Sequence, residues 1–253
     1  MSGKEIRFKK LYHHSDKLLI VPMDHGITIG PVVGLTEINE TVKAVFEGGA
    51  DAVVVHKGLV RYLKDTLGSN KGELIIHLSA STSLAPEAQA NRKEVVSSVE
   101  HSIRLGATAI STHVNLGSPF EADQLRDVGM IAEECDKWGL PLLAMMYVRD
   151  GSKDHEFDSV RIRHAARVAE ELGADIVKVN YSGSAESFKD VITGVKIPVL
   201  IAGGERLSSS GDLLSMVDDA ISAGANGISI GRNIFQDENP AKLCAGIRSI
   251  LDQ

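Results

Sequence analysis

The stretch Gly173-Ala174-Asp175-Ile176-Val177-Lys178-Val179 carries the pattern that decides the fold. A glycine closing a helix, a small residue and a β-branched run make a helix-to-strand junction, because glycine enters the left-handed C-terminal cap without steric cost. The same junction recurs at Gly49-Ala50-Asp51-Ala52-Val53-Val54-Val55, at Gly106-Ala107-Thr108-Ala109-Ile110-Ser111-Thr112 and at Gly224-Ala225-Asn226-Gly227-Ile228-Ser229-Ile230. Further apolar runs at 18–24, 74–79, 141–148 and 198–203 interleave with these, which makes eight strands. Helices are expected at 36–48, 59–67, 92–105, 120–138, 158–172, 185–192, 209–223 and 240–251. Eight βα units in a chain of 253 residues predict one α/β domain over 1–253, a (β/α)8 barrel. An open doubly wound sheet is the alternative. The recurring junction favours closed rotational order, and no Gly-x-Gly-x-x-Gly follows the first strand.

Composition narrows the class of protein. Net charge is -7 and no Lys/Arg stripe is interleaved with aromatics, which argues against nucleic acid as a partner. No apolar run approaches the roughly 18 residues of a membrane helix, and the start Met1-Ser2-Gly3-Lys4-Glu5-Ile6 lacks an apolar signal region. A soluble cytoplasmic enzyme is the expectation. Cys135 and Cys244 both fall in expected helices without metal-ligand spacing, and so read as reduced packing residues.

In this fold the reactive groups gather at the C-terminal ends of the strands. Lys178 is the odd residue there. An ammonium is costly to bury without a partner, while a buried neutral amine is what Schiff-base chemistry needs. A lysine paired with a carboxylate for structural reasons is the competing reading. Strand alternation puts Ile176, Lys178 and Asn180 on one face and Val177 and Val179 on the other, so Lys178 is expected to point into the barrel. The same parity groups Tyr147 with Met145 and Leu143, and Asp24 with Pro22 and Ile20. A lysine, a phenol and a carboxylate are thus expected to meet at one rim, as covalent carbonyl chemistry requires.

The loops after strands 7 and 8 often bind phosphate in this fold. Gly203, Gly204 and Gly231 supply close backbone there, and Arg232 a guanidinium suited to bidentate phosphate binding. Glycines that merely make tight turns would look the same. Arg149, His25 and Lys57 complete the candidate substrate-binding set. Lys57 also competes with Lys178 as the Schiff-base amine, but it leaves its strand at His56-Lys57-Gly58, where solvent is in reach. The histidines His25, His56, His77 and His113 at the first four strand ends raise the possibility of a zinc site. Their parities do not aim all four at one point and no His-x-x-x-His spacing supports it, so no metal is assigned.

At Val21-Pro22-Met23-Asp24-His25-Gly26, His56-Lys57-Gly58, Ile75-Ile76-His77-Leu78-Ser79, His113-Val114-Asn115-Leu116-Gly117-Ser118, Ala144-Met145-Met146-Tyr147-Val148-Arg149 and Gly231-Arg232-Asn233-Ile234-Phe235-Gln236 the chain resembles the archaeal-type class I (Schiff-base) aldolases. The resemblance covers nearly the whole chain. It implies a lyase or transferase with Lys178 as the Schiff-base lysine, Asp24 and Tyr147 as the acid/base pair, and Gly203, Gly204, Gly231 and Arg232 at the phosphate end. It further implies no cofactor, a phosphorylated ketose and a small aldehyde as substrates, and a homo-oligomer of ring-based decamer type. His56-Lys57-Gly58 and Met145-Met146-Tyr147 look more like the amino-dideoxy-heptulosonate synthase branch, for which aspartate semialdehyde is the acceptor, than like the fructose-bisphosphate aldolases; a related bacterial branch condenses aspartate semialdehyde with dihydroxyacetone phosphate. A thiolase or isomerase using the same lysine, and a non-catalytic phosphosugar-binding barrel, are the rival readings. Val148, Asp150, Glu205 and Arg206 depart from the family's usual Tyr-Pro-Arg-Gly and Gly-Gly-Pro-Lys runs, and are expected to bear on the choice of substrate.

Overall fold

The computed structural model describes residues 3–69 and 71–253; Met1 and Ser2, which open the charged N-terminal segment, and Asn70 lie outside the described residues. The strands are β1 (Leu18–Pro22), β2 (Ala52–Val55), β3 (Glu73–His77), β4 (Ser79–Ala80), β5 (Glu94–Val95), β6 (Ala109–Leu116), β7 (Leu142–Val148), β8 (Ile176–Asn180), β9 (Val199–Ala202) and β10 (Gly227–Ser229). Eight of them form a closed parallel barrel in the order β1-β10-β9-β8-β7-β6-β3-β2. Closure rests on the register Leu18↔Gly227, Leu19↔Ile228 and Ile20↔Ser229, which excludes the open sheet.

The four glycine junctions share one backbone. Gly49, Gly106, Gly173 and Gly224 have φ of 90°, 91°, 93° and 104°, the left-handed region that a side chain would strain. At three of the four the polar residue two positions later has a common task, while Thr108 donates its hydroxyl to the Glu73 carboxylate. Asp51 Oδ2 accepts from the Leu19 backbone N–H at 2.6 Å, Asp175 Oδ2 from that of Leu142 at 2.8 Å, and Asn226 Oδ1 from that of Val199 at 3.0 Å. Each side chain thereby supplies an acceptor to the first residues of the neighbouring strand, satisfying a donor that the ladder leaves over. The recurrence in the sequence is the barrel's lower rim stitching itself together.

Alternation divides the apolar residues into two cores. Leu18, Ile20, Ala52, Val54, Ile75, Ala109, Leu143, Met145, Ile176 and Leu200 fill the barrel. Their chain neighbours Leu19, Val21, Val53, Val55, Leu74, Ile76, Ile110, Leu142, Ala144, Val177, Val199 and Ile201 pack outward beneath the helices. Both cysteines are free and buried in helices, where burial pushes each thiol up to about 12 and leaves it unreactive.

The helices Ile38–Glu47, Glu121–Trp138, Ser159–Glu171, Ala185–Ile192, Ser210–Ser222 and Pro240–Leu251 lie within two residues of the expected spans. The segment 59–67 is a 3-10 turn, Lys57–Tyr62, followed by the short helix Lys64–Leu67. Segment 92–105 differs most. Its first residues form β5, paired antiparallel with β4, and the helix is only Val99–Arg104. Ser98 starts that helix by accepting the His101 N–H at 3.1 Å, so the N-cap signal was present and the longer expectation ran past it. An unanticipated helix, Gly3–Leu11, closes the lower end: Leu11 is fully buried in the interior core with Phe8 and Tyr12 packed against it. No helix among the described residues is long and apolar enough to cross a membrane.

Candidate active site

The inward parity of each strand continues past the apolar layer into polar side chains, and these line a cavity of about 360 Å³ at the C-terminal mouth of the barrel. That size is ordinary for a small-molecule site. Lys178 on β8 faces it, 6% exposed, and forms no hydrogen bond or ion pair with the described residues. Its register partners are Met145 on β7 and Leu200 on β9. Tyr147 stands two residues beyond Met145 on the same inward face, and Asp24 stands four beyond Ile20. The structure therefore brings Lys178, Tyr147 and Asp24 to one cavity.

Asp24 is surrounded by imidazoles. Its Oδ2 is 3.6 Å from His77 Nε2 and its Oδ1 3.4 Å from His25 Nδ1. Burial pushes the Asp24 carboxyl up, but His77, His25, Lys178 and His56 together outweigh burial and hold it below the ordinary carboxylate range. The imidazoles shift oppositely. Burial lowers His25, His56 and His113, and carries His77 down to about 3, with Asp24 offsetting it only in part. Near neutral pH the site therefore holds an ionised carboxylate among neutral rings. Each of two rings is further fixed by a neighbour: His77 Nδ1 meets Ser111 Oγ at 2.8 Å, and His113 Nε2 meets Asn115 Oδ1 at 2.8 Å.

Across the mouth, Gly203, Gly204, Gly231 and Arg232 line the end beside β9 and β10. Gly231 is required by close approach, since a Cβ there would sit 2.5 Å from the Pro22 carbonyl oxygen. Arg232 Nη2 donates to the Gly204 carbonyl at 2.7 Å, and Asn233 Nδ2 donates to those of Gly203 and Glu205 at 3.1 Å each. These bonds hold the two loops as one unit.

The remaining candidates separate by parity. Arg149 and His25 line the cavity; Arg149 is ion-paired with Glu156 and its guanidinium lies 5.2 Å from the Tyr147 ring centroid. Lys57 does not line it. β2 sends Ala52 and Val54 inward and ends at Val55; His56 then lines the cavity, while Lys57 opens the 3-10 turn and its ammonium donates to the Val96 carbonyl on the exposed rim. The departures from the family pattern also lie off the cavity. Val148 packs in the outer core, Asp150 pairs with His155 and Arg161, and Glu205 and Arg206 are absent from the lining. Their expected bearing on substrate choice has no direct contact behind it. Conversely, Lys93, Ser81, Asn91 and Ser229 line the cavity without having been singled out. Ser229 was legible as the inward residue of the last strand, whereas Lys93 was hidden in a segment read as helix.

Among known proteins, the DeoC/LacD family aldolase profile matches residues 18–237. A 2-amino-4,5-dihydroxy-6-oxo-7-(phosphonooxy)heptanoate synthase of Streptomyces griseus is 41% identical over 98% of this chain and 90% of its own. A 2-amino-3,7-dideoxy-D-threo-hept-6-ulosonate synthase of Archaeoglobus fulgidus is 45% identical over 99% of this chain and 92% of its own. Among solved structures, an archaeal fructose-1,6-bisphosphate aldolase, with its catalytic Lys covalently bound to the carbinolamine intermediate of the substrate, superposes with a TM-score of 0.88. It is 28% identical and covers 99% of this chain and 100% of that one.

Proposed function

This chain belongs to the DeoC/LacD aldolase family, an enzyme of the Schiff-base type, and from that premise we propose that Lys178 condenses a phosphorylated ketone with an amino-acid semialdehyde. The observation that carries the reading is a nearly fully buried lysine that forms no hydrogen bond or ion pair with the described residues, facing a cavity that also holds Tyr147 and Asp24.

The Lys178 amine adds to the donor's ketone carbon to give a carbinolamine. Tyr147 protonates the departing hydroxyl, which leaves as water, and an iminium remains. That cation is an electron sink, so the neighbouring carbon gives up a proton to a carboxylate, Asp24 in this scheme, and becomes an enamine. The enamine attacks the acceptor's aldehyde carbon and the aldehyde oxygen takes up the proton. Water then adds to the new iminium and releases ketone and free amine. The sum is donor plus aldehyde giving a β-hydroxyketone, with lysine regenerated. Gly203, Gly204, Gly231 and Arg232 hold the donor phosphate through backbone N–H groups and the guanidinium.

The substrate class follows from retro-aldol logic applied to the Streptomyces relative's product name. In a 4,5-dihydroxy-6-oxo-7-phosphonooxy-2-amino acid the β-hydroxyketone bond lies between carbons 4 and 5. Breaking it gives dihydroxyacetone phosphate and aspartate semialdehyde. Full-length protein incubated with these two and read by mass is expected to yield the seven-carbon amino acid phosphate. Borohydride added with the donor alone is expected to leave a reduced adduct on Lys178. An adduct on another lysine, or activity without any adduct, overturns the assignment. Cleavage of fructose 1,6-bisphosphate is the second reading, favoured by the 28% identical structure, and the same mass measurement distinguishes it.

A further inference from the structure

The cavity wall opposite Arg232 carries a second cation that the scheme above leaves unused. We infer that Lys93 receives the carboxylate of the acceptor aldehyde, forming a second anion-binding end across the barrel mouth and selecting acceptors that carry an acid group. This rests on the aldolase reading of Lys178.

Arg232 follows β10, whereas Lys93 sits on the β4–β5 hairpin inserted between β3 and β6. In the closed order β1-β10-β9-β8-β7-β6-β3-β2 those places lie on opposite sides of the ring, and β8 with Lys178 falls between them. A chain whose ketone carbon, next to the phosphate-bearing carbon, is bonded to Lys178 and whose phosphate lies at Arg232 runs its acceptor end toward Lys93.

Arg92 and Glu94 pair with each other on the exposed side of the hairpin, so the intervening residue turns inward. Lys93 Nζ donates to Ser81 Oγ at 2.6 Å, and both side chains line the cavity. The hairpin itself is anchored. The Asn91 carbonyl accepts from Asn115 Nδ2 and from Gln124 Nε2, each at 2.9 Å, and Lys57 grips the Val96 carbonyl from the other side. An ammonium has three donors, of which Ser81 uses one.

Arg149, the neighbouring cation, already has Glu156. Lys93 forms no ion pair with the described residues, and burial, with the like charge of Arg149, lowers its pKa against the opposing pull of Asp24. A bound carboxylate would supply the missing counter-charge and the remaining acceptors. A neutral aldehyde would leave that ammonium unsatisfied.

The test compares acceptors in full-length wild type, Lys93→Gln and Lys93→Arg, with dihydroxyacetone phosphate as donor. The readout is the ratio of kcat/KM for aspartate semialdehyde to that for butyraldehyde, which lacks the acid group. Lys93→Gln is expected to lower this ratio about tenfold or more, the loss of one charge-assisted hydrogen bond, and Lys93→Arg to restore much of it. A general loss of packing would lower both acceptors together and leave the ratio unchanged. If the ratio is unchanged while borohydride still traps the donor on Lys178, the assignment of Lys93 is overturned and the aldolase reading stands. If wild type forms no trappable adduct, the reading of Lys178 falls and this inference falls with it.

Discussion

The two ends of the barrel treat polar groups in opposite ways. At the lower rim they are consumed. Asp51 is fully buried and receives the Leu19 N–H, His14 Nδ1 at 2.8 Å and Arg248 Nη2 at 2.5 Å, while Arg248 also reaches the Gly49 and Lys17 carbonyls and Ser15 Oγ. At the upper rim they are held in reserve. Among the described residues Lys178 has no hydrogen bond or ion pair, and His25 Nδ1 and Ser229 Oγ are buried without a hydrogen-bond partner. One end ties the first and last segments of the chain into a closed ring, and the other keeps donors and acceptors available for a ligand. Such a division lets the fold carry reactive groups whose burial works against stability.

The comparison breaks most sharply at Lys178. Lys178→Met is expected to abolish the borohydride-trapped adduct and to lower kcat by about 10⁴-fold or more, since the covalent route is lost. Thermal unfolding should be unchanged or raised, because a buried amine without a partner is replaced by an apolar chain of similar length. The lower rim should respond in reverse. Arg248→Met leaves the Asp51 carboxylate buried without its guanidinium, a loss of about 3–5 kcal/mol in urea unfolding. Whatever protein remains folded should still titrate one adduct per chain. Tyr147→Phe keeps the ring tilted against that of His113, at 4.8 Å between centroids, and removes only the hydroxyl. It is expected to cost about 10²-fold in kcat with little change in unfolding midpoint.

Acid titration sharpens the contrast further. His77 is held at about 3 in the folded protein, against about 6.5 in the unfolded chain. As pH falls below about 6.5 the unfolded chain takes up a proton that the folded one refuses, so this site's contribution is full above that pH and is lost down to about pH 3. His77→Asn should flatten stability against pH by about 1.4 kcal/mol per unit between those limits, read from urea midpoints. Asp24, whose folded pKa is likewise depressed, contributes stability that is present above the usual carboxylate range and lost as pH falls through its lower folded value. The smallest effect is expected at Lys57, which grips the outer side of the hairpin. Lys57→Ala should shift stability by less than about 0.5 kcal/mol and leave the adduct intact; loss of the adduct would restore it as a candidate nucleophile.

Much of this was legible in the chain because the barrel is made of local, repeated events. A glycine in the left-handed region, a small residue and a polar residue that bonds the preceding strand recur at Gly49, Gly106, Gly173 and Gly224, and each junction declares a strand start without reference to the others. Period-two alternation then aimed Lys178, Tyr147 and Asp24 inward. Applied to His56 and Lys57, the same parity already separates the cavity-facing ring from the outward lysine.

The rest depended on pairing between segments that are distant in the chain. The β4–β5 hairpin is only two residues a side, too short for any periodicity to mark, and it exists because Ser79 and Ala80 find Val95 and Glu94 across a loop. That pairing turned an expected helix into a cavity wall and brought Lys93 into the site. Helix Gly3–Leu11 likewise has a weak apolar pattern of its own and is defined by the barrel floor it covers. Sequence alone determined the class of fold, the count of strands and the inward direction of Lys178, since those follow from local backbone chemistry and a period of two. Tertiary structure decided which polar groups face one another across the barrel mouth, because that depends on closure of the ring and on loops whose course no local pattern records.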